Sequence, residues 1–512
     1  MSILRPPAAA LALACLAGCA VGPDYHTPKI PTPPQFVAAA PAPAAATAAP
    51  PVDLAAWWHA LNDPELDSLI ERAVKGNPDI EIALDRLQAA RTLAIGTWST
   101  VLPYGGASAG GGRGTGSDLG RGRASQQLVS AETGTGLAQV NLLAGFDAAW
   151  QLDFFGKYRR EIEAARADAQ AAAAARNAVL VAVIADVART YVDLRGLQMR
   201  SAVLHSALSV LQQSLDIVNQ RYERGITNEL DVTLARREFE SLKSELAPLD
   251  AQVQAKQYAL ATLLGQYPED LTQELAPQGA LPIVPPAVAA GLPVDLLRRR
   301  PDIQVAEREL AGSTARIGVA AGNLFPQVFI SASVGLEHQG WGSTPESLTQ
   351  HIWSAGPGAT WPLLDFGALD AQLQVADLKT RALLVNYRKT IQAAVQEVDT
   401  VSSAYRASEE SLQSLAAALT ASQRAVTLAN ERYERGLTDF LNVVEAERAE
   451  YTLEDEYAQA QVNACEEFVA LYRGLGGGWQ NYQDVPAVTA PLPAVAAMFR
   501  ELLTRNTALK AP

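Results

Sequence analysis

Five histidines, three cysteines and a glycine-rich tract are the residues in this chain whose types could carry metal, redox or phosphate chemistry. Their spacing does not support it. His26, His59, His205, His338 and His351 are scattered, without the His-x-x-x-His or Cys-x-x-Cys pairings that close a metal site on one helix or turn. His338 and His351 could share an ion only by meeting across a hairpin. The tract from Gly105 to Gly136 leads into a strand pattern and lacks a closing Gly-Lys-Ser/Thr, so it does not cradle phosphate. There is no Gly-x-Ser-x-Gly nucleophile elbow. The chain therefore reads as a non-enzyme with no cofactor and no metal.

Chemistry of another kind is written at Cys19. Arg5 supplies a positive charge, Ala8 to Leu16 an apolar run, and Leu16-Ala17-Gly18-Cys19 a cleavage region, so residues 1–18 read as a short secretory signal. Leu-Ala-Gly-Cys resembles a bacterial lipobox, in which the cysteine is acylated and becomes the new N-terminus; a plain signal with an accidental Cys19 is the alternative. At about 0.8 kcal/mol per buried CH₂, two or more acyl chains anchor stably where one is marginal. Cleavage leaves Cys465 alone, unable to form an internal disulfide, and its helical neighbours mark it as an inert buried thiol. The resemblance to lipoproteins, with Ala20 next and not aspartate, implies sorting to the outer membrane. The Pro- and Ala-rich stretch that follows makes 19–55 read as an extended, lipid-anchored tether.

The remaining pattern suited to recognition occurs twice. Arg221-Tyr222-Glu223-Arg224-Gly225-Ile226-Thr227 returns as Arg432-Tyr433-Glu434-Arg435-Gly436-Leu437-Thr438. Each copy ends a long proline-free stretch, Lys157 to Arg224 and Ala368 to Arg435, interrupted by glycine only at Gly196. At about 1.5 Å per residue such a helix runs on the order of 100 Å, which suits coiled coils or helical tubes. Leu384, Tyr387, Ile391, Ala394, Val398 and Val401, continuing to Leu412, Leu415, Leu419 and Tyr433, alternate spacings of three and four; Leu180 to Val218 does the same. A sustained repeat of about 3.5 residues means packing by knobs into holes. Gly225 and Gly436 suit the left-handed position that stops a helix, and arginine near a C-terminus favours the dipole. A capped turn with no partner is the bland alternative for the arginines.

The elements that hold these tips are duplicated too. Asn77-Pro78-Asp79-Ile80 and Arg300-Pro301-Asp302-Ile303 each start a helix, and Trp150, Phe155 and Gly156 match Trp361, Phe366 and Gly367. The first copy carries extra residues in the glycine tract, an insertion that reads as a loop. Between the matched positions the apolar period falls to two, along Val140–Leu152, Val328–Leu336 and Trp353–Leu363, with a weaker strand at Val101 to Ala109. Trp98, Trp150, Phe154, Phe155, Trp361 and Phe366 sit where helix meets strand, and Trp341 and Trp353 toward the hairpin end, as two membrane interfaces would require. A half-buried soluble sheet has the same alternation. No run of about 18 apolar residues follows Cys19, so no transmembrane helix is expected. Four such strands cannot close a barrel, which needs about eight, so copies must combine, and a trimer would supply about twelve. The boundaries expected are 56–265 for the first repeat, 266–297 for an equatorial linker, 298–476 for the second repeat and 477–512 for an equatorial segment and tail. The net charge of −14 gives no general attraction to nucleic acid or anionic lipid.

Val21-Gly22-Pro23-Asp24-Tyr25, Trp57-Trp58, Asp63-Pro64-Glu65-Leu66, Trp150 to Gly156, Arg300-Pro301-Asp302-Ile303, Arg316-Ile317-Gly318 and Leu475-Gly476-Gly477-Gly478-Trp479, together with the Cys19 motif, resemble the TolC-like outer-membrane efflux proteins. The similarity is to the lipoprotein branch typified by OprM and NodT. It implies a mixed α and transmembrane β fold: a duplicated protomer whose trimer forms a twelve-stranded β-barrel in the outer membrane and a twelve-helix periplasmic α-barrel. It further implies a passive duct for drugs or other small molecules, coupled to an inner-membrane RND-type transporter through a periplasmic adaptor (membrane fusion) protein. In such proteins the tips meet the adaptor, which carries Arg221, Tyr222, Gly225, Arg432, Tyr433 and Gly436 over as contact positions. Several relatives narrow the tip with a ring of acids, yet Ser411 to Asn430 contains no Asp or Glu. Leu412, Leu415 and Leu419 are then the gate candidates. A type I protein-secretion duct, or a non-conducting coiled-coil scaffold in the periplasm, are the other functions these elements allow.

Overall fold

The computed structural model describes residues 20–37, 52–115, 138–285, 295–296, 299–341 and 347–483. Cys19, the signal segment before it, most of the Pro/Ala stretch, both hairpin loops and the tail after 483 lie outside the described residues. After a 3-10 segment at Leu54–Leu61 come α1 (Pro64–Gly76), α2 (Pro78–Ser99), β1 (Tyr104–Thr115), β2 (Ala138–Leu152), α3 (Lys157–Glu223), α4 (Glu229–Lys243) and α5 (Leu246–Leu263). The second copy supplies α6 (Pro301–Gly322), β3 (Gln327–Trp341), β4 (Ser347–Thr360), α7 (Ala368–Glu434) and α8 (Phe440–Gly474). The rods α3 and α7 are each 67 residues long.

The two copies solve one local problem with different side chains. At the start of α2, Asn77 accepts from the amides of Asp79 and Ile80 and donates to the Leu263 carbonyl at 2.7 Å. At the start of α6, Arg300 instead donates to the Gly474 carbonyl at 2.7 Å and to Glu397 at 2.6 Å. Leu263 and Gly474 are equivalent ends of the returning helices, whose last carbonyls have no partner within their own helix. Each copy thereby ties its first helix to its last.

Two expectations need correction, and the return helices of the two copies differ: the first divides between Lys243 and Leu246, whereas α8 runs 35 residues. Pro248 lies in the first turn of α5, where it has no N–H to offer the Ser244 carbonyl, and α8 has no proline. The glycine tract is not all loop: its first residues, to Thr115, belong to β1, which begins at Tyr104, while Leu102 belongs to a turn and donates to the Ser99 carbonyl. Trp353 stands in mid-strand opposite Val334, and only Trp341 marks the hairpin end. One helix, α3, does contain a window apolar enough by composition to cross a membrane, but half of that window is buried inside the protein. Its Leu180, Ile184, Ala188 and Tyr191 build the central core.

That core lies at the level where the repeats meet. Trp57 stacks on Tyr472 with ring centroids 5.7 Å apart and meets Phe468 and Trp58 edge-on, above Leu66, Leu69 and Ile70 of α1. Fully burying side chains of this kind is worth about 1.5–3 kcal/mol each. Gly196, the lone glycine in α3, is where α8 crosses closest: a Cβ there would sit 2.2 Å from Val462. The rods are not equally covered. α3 packs against α2, α4, α5, α6 and α8, whereas α7 packs chiefly on α6 and α8 and leaves Val375, Leu378, Val385 and Leu428 exposed.

Candidate functional site

Both tips close by the same backbone device. Ile226 donates to the Arg221 carbonyl at 2.9 Å and Gly225 to Tyr222 at 2.8 Å; Leu437 donates to Arg432 and Gly436 to Tyr433, both at 2.9 Å. Such a pair of bonds consumes the orphan carbonyls of a helix end and needs a left-handed residue, supplied by Gly225 at φ 68° and Gly436 at φ 69°. The two expected motifs meet at one point. The Arg221 guanidinium lies over the Tyr433 ring, 4.5 Å from its centroid, and Tyr433 also contacts Phe440 at 5.2 Å. Leu215, Val218, Val232, Ala235, Val443 and Val444 enclose them. Burial pushes the Tyr433 hydroxyl above its ordinary range, with Arg221 opposing that rise. Tyr222, Arg224, Arg432 and Arg435 are exposed instead. Phe440 had been passed over in the sequence; its signal was the replacement of Glu229 at the equivalent position of the first tip.

Leu412, Leu415 and Leu419 are half-buried on α7 and belong to none of the buried clusters. A more unusual group lies near the tip. Glu447 of α8 is 7% exposed, accepts from Ser214 of α3 at 2.8 Å through Oε1, and leaves Oε2 without a hydrogen bond. Burial raises its pKa above the usual carboxylate range, Glu450 adds to the rise, and Ser214 and Asn430 oppose it.

At the other end the strands form one antiparallel sheet in the order β1-β2-β3-β4, with β1 and β4 as edges. One face carries Leu142, Ala144, Phe146, Ala148 and Trp150 of β2 and Ile330, Ala332, Val334 and Leu336 of β3, all exposed. The other carries Gly145 opposite Gly335, Asp147 opposite Ser333, Ala149 opposite Ser331 and Gln151 opposite Phe329. Trp150 and Trp361 each turn an indole N–H to a chain carbonyl, of Val101 at 2.9 Å and Leu324 at 3.0 Å. Exposed rings with their polar edge satisfied suit an interface between water and lipid. The two strand histidines do not face each other: His338 pairs with Thr349 and His351 with Leu336. Among the described residues no group of three potential metal ligands gathers.

A sheet with one apolar and one more polar face, and long helical hairpins ending in twin tips, recur in known proteins. The family model for outer membrane efflux proteins matches residues 69–266 and 292–477. The chain belongs to that family, the TolC-like outer-membrane efflux channels. It is 30% identical to nodulation protein T of Rhizobium leguminosarum bv. trifolii over 473 residues, covering 91% of this chain and 95% of the relative. It is 30% identical to the pyoverdine export outer membrane protein OpmQ of Pseudomonas putida, across 83% of this chain and 88% of that one. The solved outer-membrane channel OprN superposes with a TM-score of 0.78 at 36% identity, covering 90% of this chain and 100% of OprN. The family is one of channels, not enzymes.

In this efflux protein the segment expected as a free tether is, over residues 20–37, a strap laid on the helical wall. Val21 donates to the Phe155 carbonyl at 3.0 Å, and Gly22 lies against Gly318. Arg160, 5% exposed, donates to the carbonyls of Val21 and Gly22, to Asp24 at 2.6 Å and to Glu163 at 2.8 Å. A buried guanidinium is tolerated only when its donors are so consumed. The same bond holds the Asp24 carboxyl below its usual range. Tyr25 donates to Glu307, which Arg308 also binds, and Phe36 inserts beside Ile303, Leu310, Tyr387 and Ile391. Sequence pattern named Val21 to Tyr25 and Arg316 to Gly318 as separate motifs; the structure makes them two sides of one clasp. Cys465 is buried, its thiol hydrogen-bonded to the Pro282 carbonyl and pushed up to about 12 by burial, so it stays protonated and unreactive.

Proposed function

We propose that this channel protein works as a trimer, passively conducting drugs or other small molecules from a periplasmic pump and adaptor to the exterior. The observation that carries the reading is the sheet: an exposed apolar face and two unpaired edges on one four-stranded unit. In lipid each unpaired backbone group costs several kcal/mol, so open edges must be closed by other copies, and three copies give about twelve strands. The uncovered side of α7 calls for the same neighbours. In this reading 56–265 and 298–476 are the two repeats of each protomer, with 266–297 and 477–512 around its equator.

The strap supports reading Cys19 as the N-terminal lipid anchor. Ala20 lies against Gly156 at the junction of β2 and α3. Cys19 precedes Ala20 in the sequence, and acyl chains on it would anchor this end of the strap in the outer membrane. Energy must come from partners, an inner-membrane RND-type transporter joined through a periplasmic adaptor that contacts Arg221, Tyr222, Gly225, Arg432, Tyr433 and Gly436. Leu412, Leu415 and Leu419 stay as gate candidates. Small-molecule cargo is supported by the pyoverdine export named for one relative.

The test is drug susceptibility of a strain lacking this protein, with co-purification of its partners. Increased susceptibility and recovery of an RND-type pump are expected; unchanged susceptibility with recovery of a secretion ATPase would move the duct to protein export.

A further inference from the structure

The tips are chemically incomplete in a complementary way. Inside one chain, Arg221 of the first tip covers Tyr433 of the second, and the Arg221 Nε is buried with no hydrogen-bond acceptor. The ring face is what receives that cation. The equivalent tyrosine of the first tip, Tyr222, is 45% exposed, and Ile226 and Leu230 beside it are 60% and 61% exposed. The equivalent arginine of the second tip, Arg432, is exposed and its side chain has no partner among the described residues. Each tip thus presents one half of the same pair outward.

We infer that, in the trimer without its adaptor, Arg432 of one copy stacks on Tyr222 of a second copy, repeating between chains the contact that Arg221 and Tyr433 make within one. This rests on the trimer reading above. Two observations carry it. The tips share backbone hydrogen bonds and glycine φ values, so arginine and tyrosine leave the backbone alike in both. The contact also has a direction, from the arginine of one tip to the tyrosine of the next. Head-to-tail contacts with a consistent sense close into a ring when the rotation allows, and alternating first and second tips would complete it with one type of junction.

The junctions are not equal in strength. Tyr433 has Phe440 at its side, whereas Tyr222 has Glu229 at the equivalent position. A carboxylate in place of an aromatic ring removes apolar contact, so the junction between copies is the weaker of the two and the one that parts first.

Paired cysteines and a short bismaleimide test this on the full-length protein. Arg432→Cys with Tyr222→Cys should give covalent dimers and trimers on a denaturing gel. Arg221→Cys with Tyr433→Cys should give only internally linked monomer. Trimers that persist on an unheated gel, yet yield no covalent ladder from the first pair, overturn the inference while leaving the trimer intact. Loss of the trimer band from the unsubstituted protein overturns the trimer reading itself, and this inference with it.

Discussion

The first and second tips share the pentapeptide Arg-Tyr-Glu-Arg-Gly and nearly the same φ at the closing glycine, 68° and 69°, yet their tyrosines differ: Tyr222 is 45% exposed and Tyr433 is 8% exposed. Identical local sequence gives an identical turn, because the turn is made of backbone bonds and one left-handed residue. Burial is decided by what stands next to it. Tyr433 has Arg221 and Phe440; Tyr222 awaits a neighbour the single chain does not contain. The rods above repeat the contrast, with α3 covered on most sides and α7 on few. Within one protomer, the first repeat's long helix occupies the interior and the second's occupies an edge.

The largest expected break in this comparison is at the tyrosines. Tyr433→Ala should cost about 3–5 kcal/mol, the range for removing a buried ring, in urea unfolding followed by helical circular dichroism. Tyr222→Ala should cost clearly less, since that ring is exposed. Equal costs would mean the two tips are energetically alike. Gly225→Ala and Gly436→Ala should do the opposite and match each other. Nothing lies within 4 Å of a Cβ built at either glycine, so the only cost is left-handed strain, about 1–2 kcal/mol for each. A large difference between them would show that the turns are not equivalent.

The smallest effect separates Glu447 from Arg236, its exposed counterpart in the first copy. Because burial raises the pKa of Glu447 in the folded protein, its protonated form is favoured there. Its contribution to stability is therefore full below the unfolded glutamate pKa and is lost as pH rises through the raised folded value. Glu447→Gln should stabilise the protein by about 1 kcal/mol at pH 7 and by little below the ordinary glutamate pKa. Thermal melts at both pH values measure this, and Arg236→Gln should shift neither.

Much of this architecture is legible in sequence because it is periodic or local. Leu180 to Val218 announce a packing seam by spacing alone, and Gly225 and Gly436 announce where the rods stop. The strand face from Leu142 to Trp150 is an alternation that needs no tertiary knowledge. What stays hidden is long-range. The stack of Arg221 on Tyr433 joins residues far apart in sequence, and nothing in either motif says that one tip covers the other. Arg160 is one of several cations in the first turns of α3 until the carbonyls of Val21 and Gly22 fold back onto it. Pro248 is compatible with a helix's first turn, so by itself it does not announce the break; the break follows only from the carbonyl of Ser244, which it leaves without a donor.

The central claim is that copies of this chain combine into an outer-membrane duct, and conductance of the purified protein in planar bilayers tests it most directly. The prediction is uniform stepwise ion currents from material that runs as a trimer before heating and as a monomer after it. A trimer or monomer that stays water-soluble once the lipid is removed, and gives no current in the bilayer, would contradict the account and favour a periplasmic scaffold.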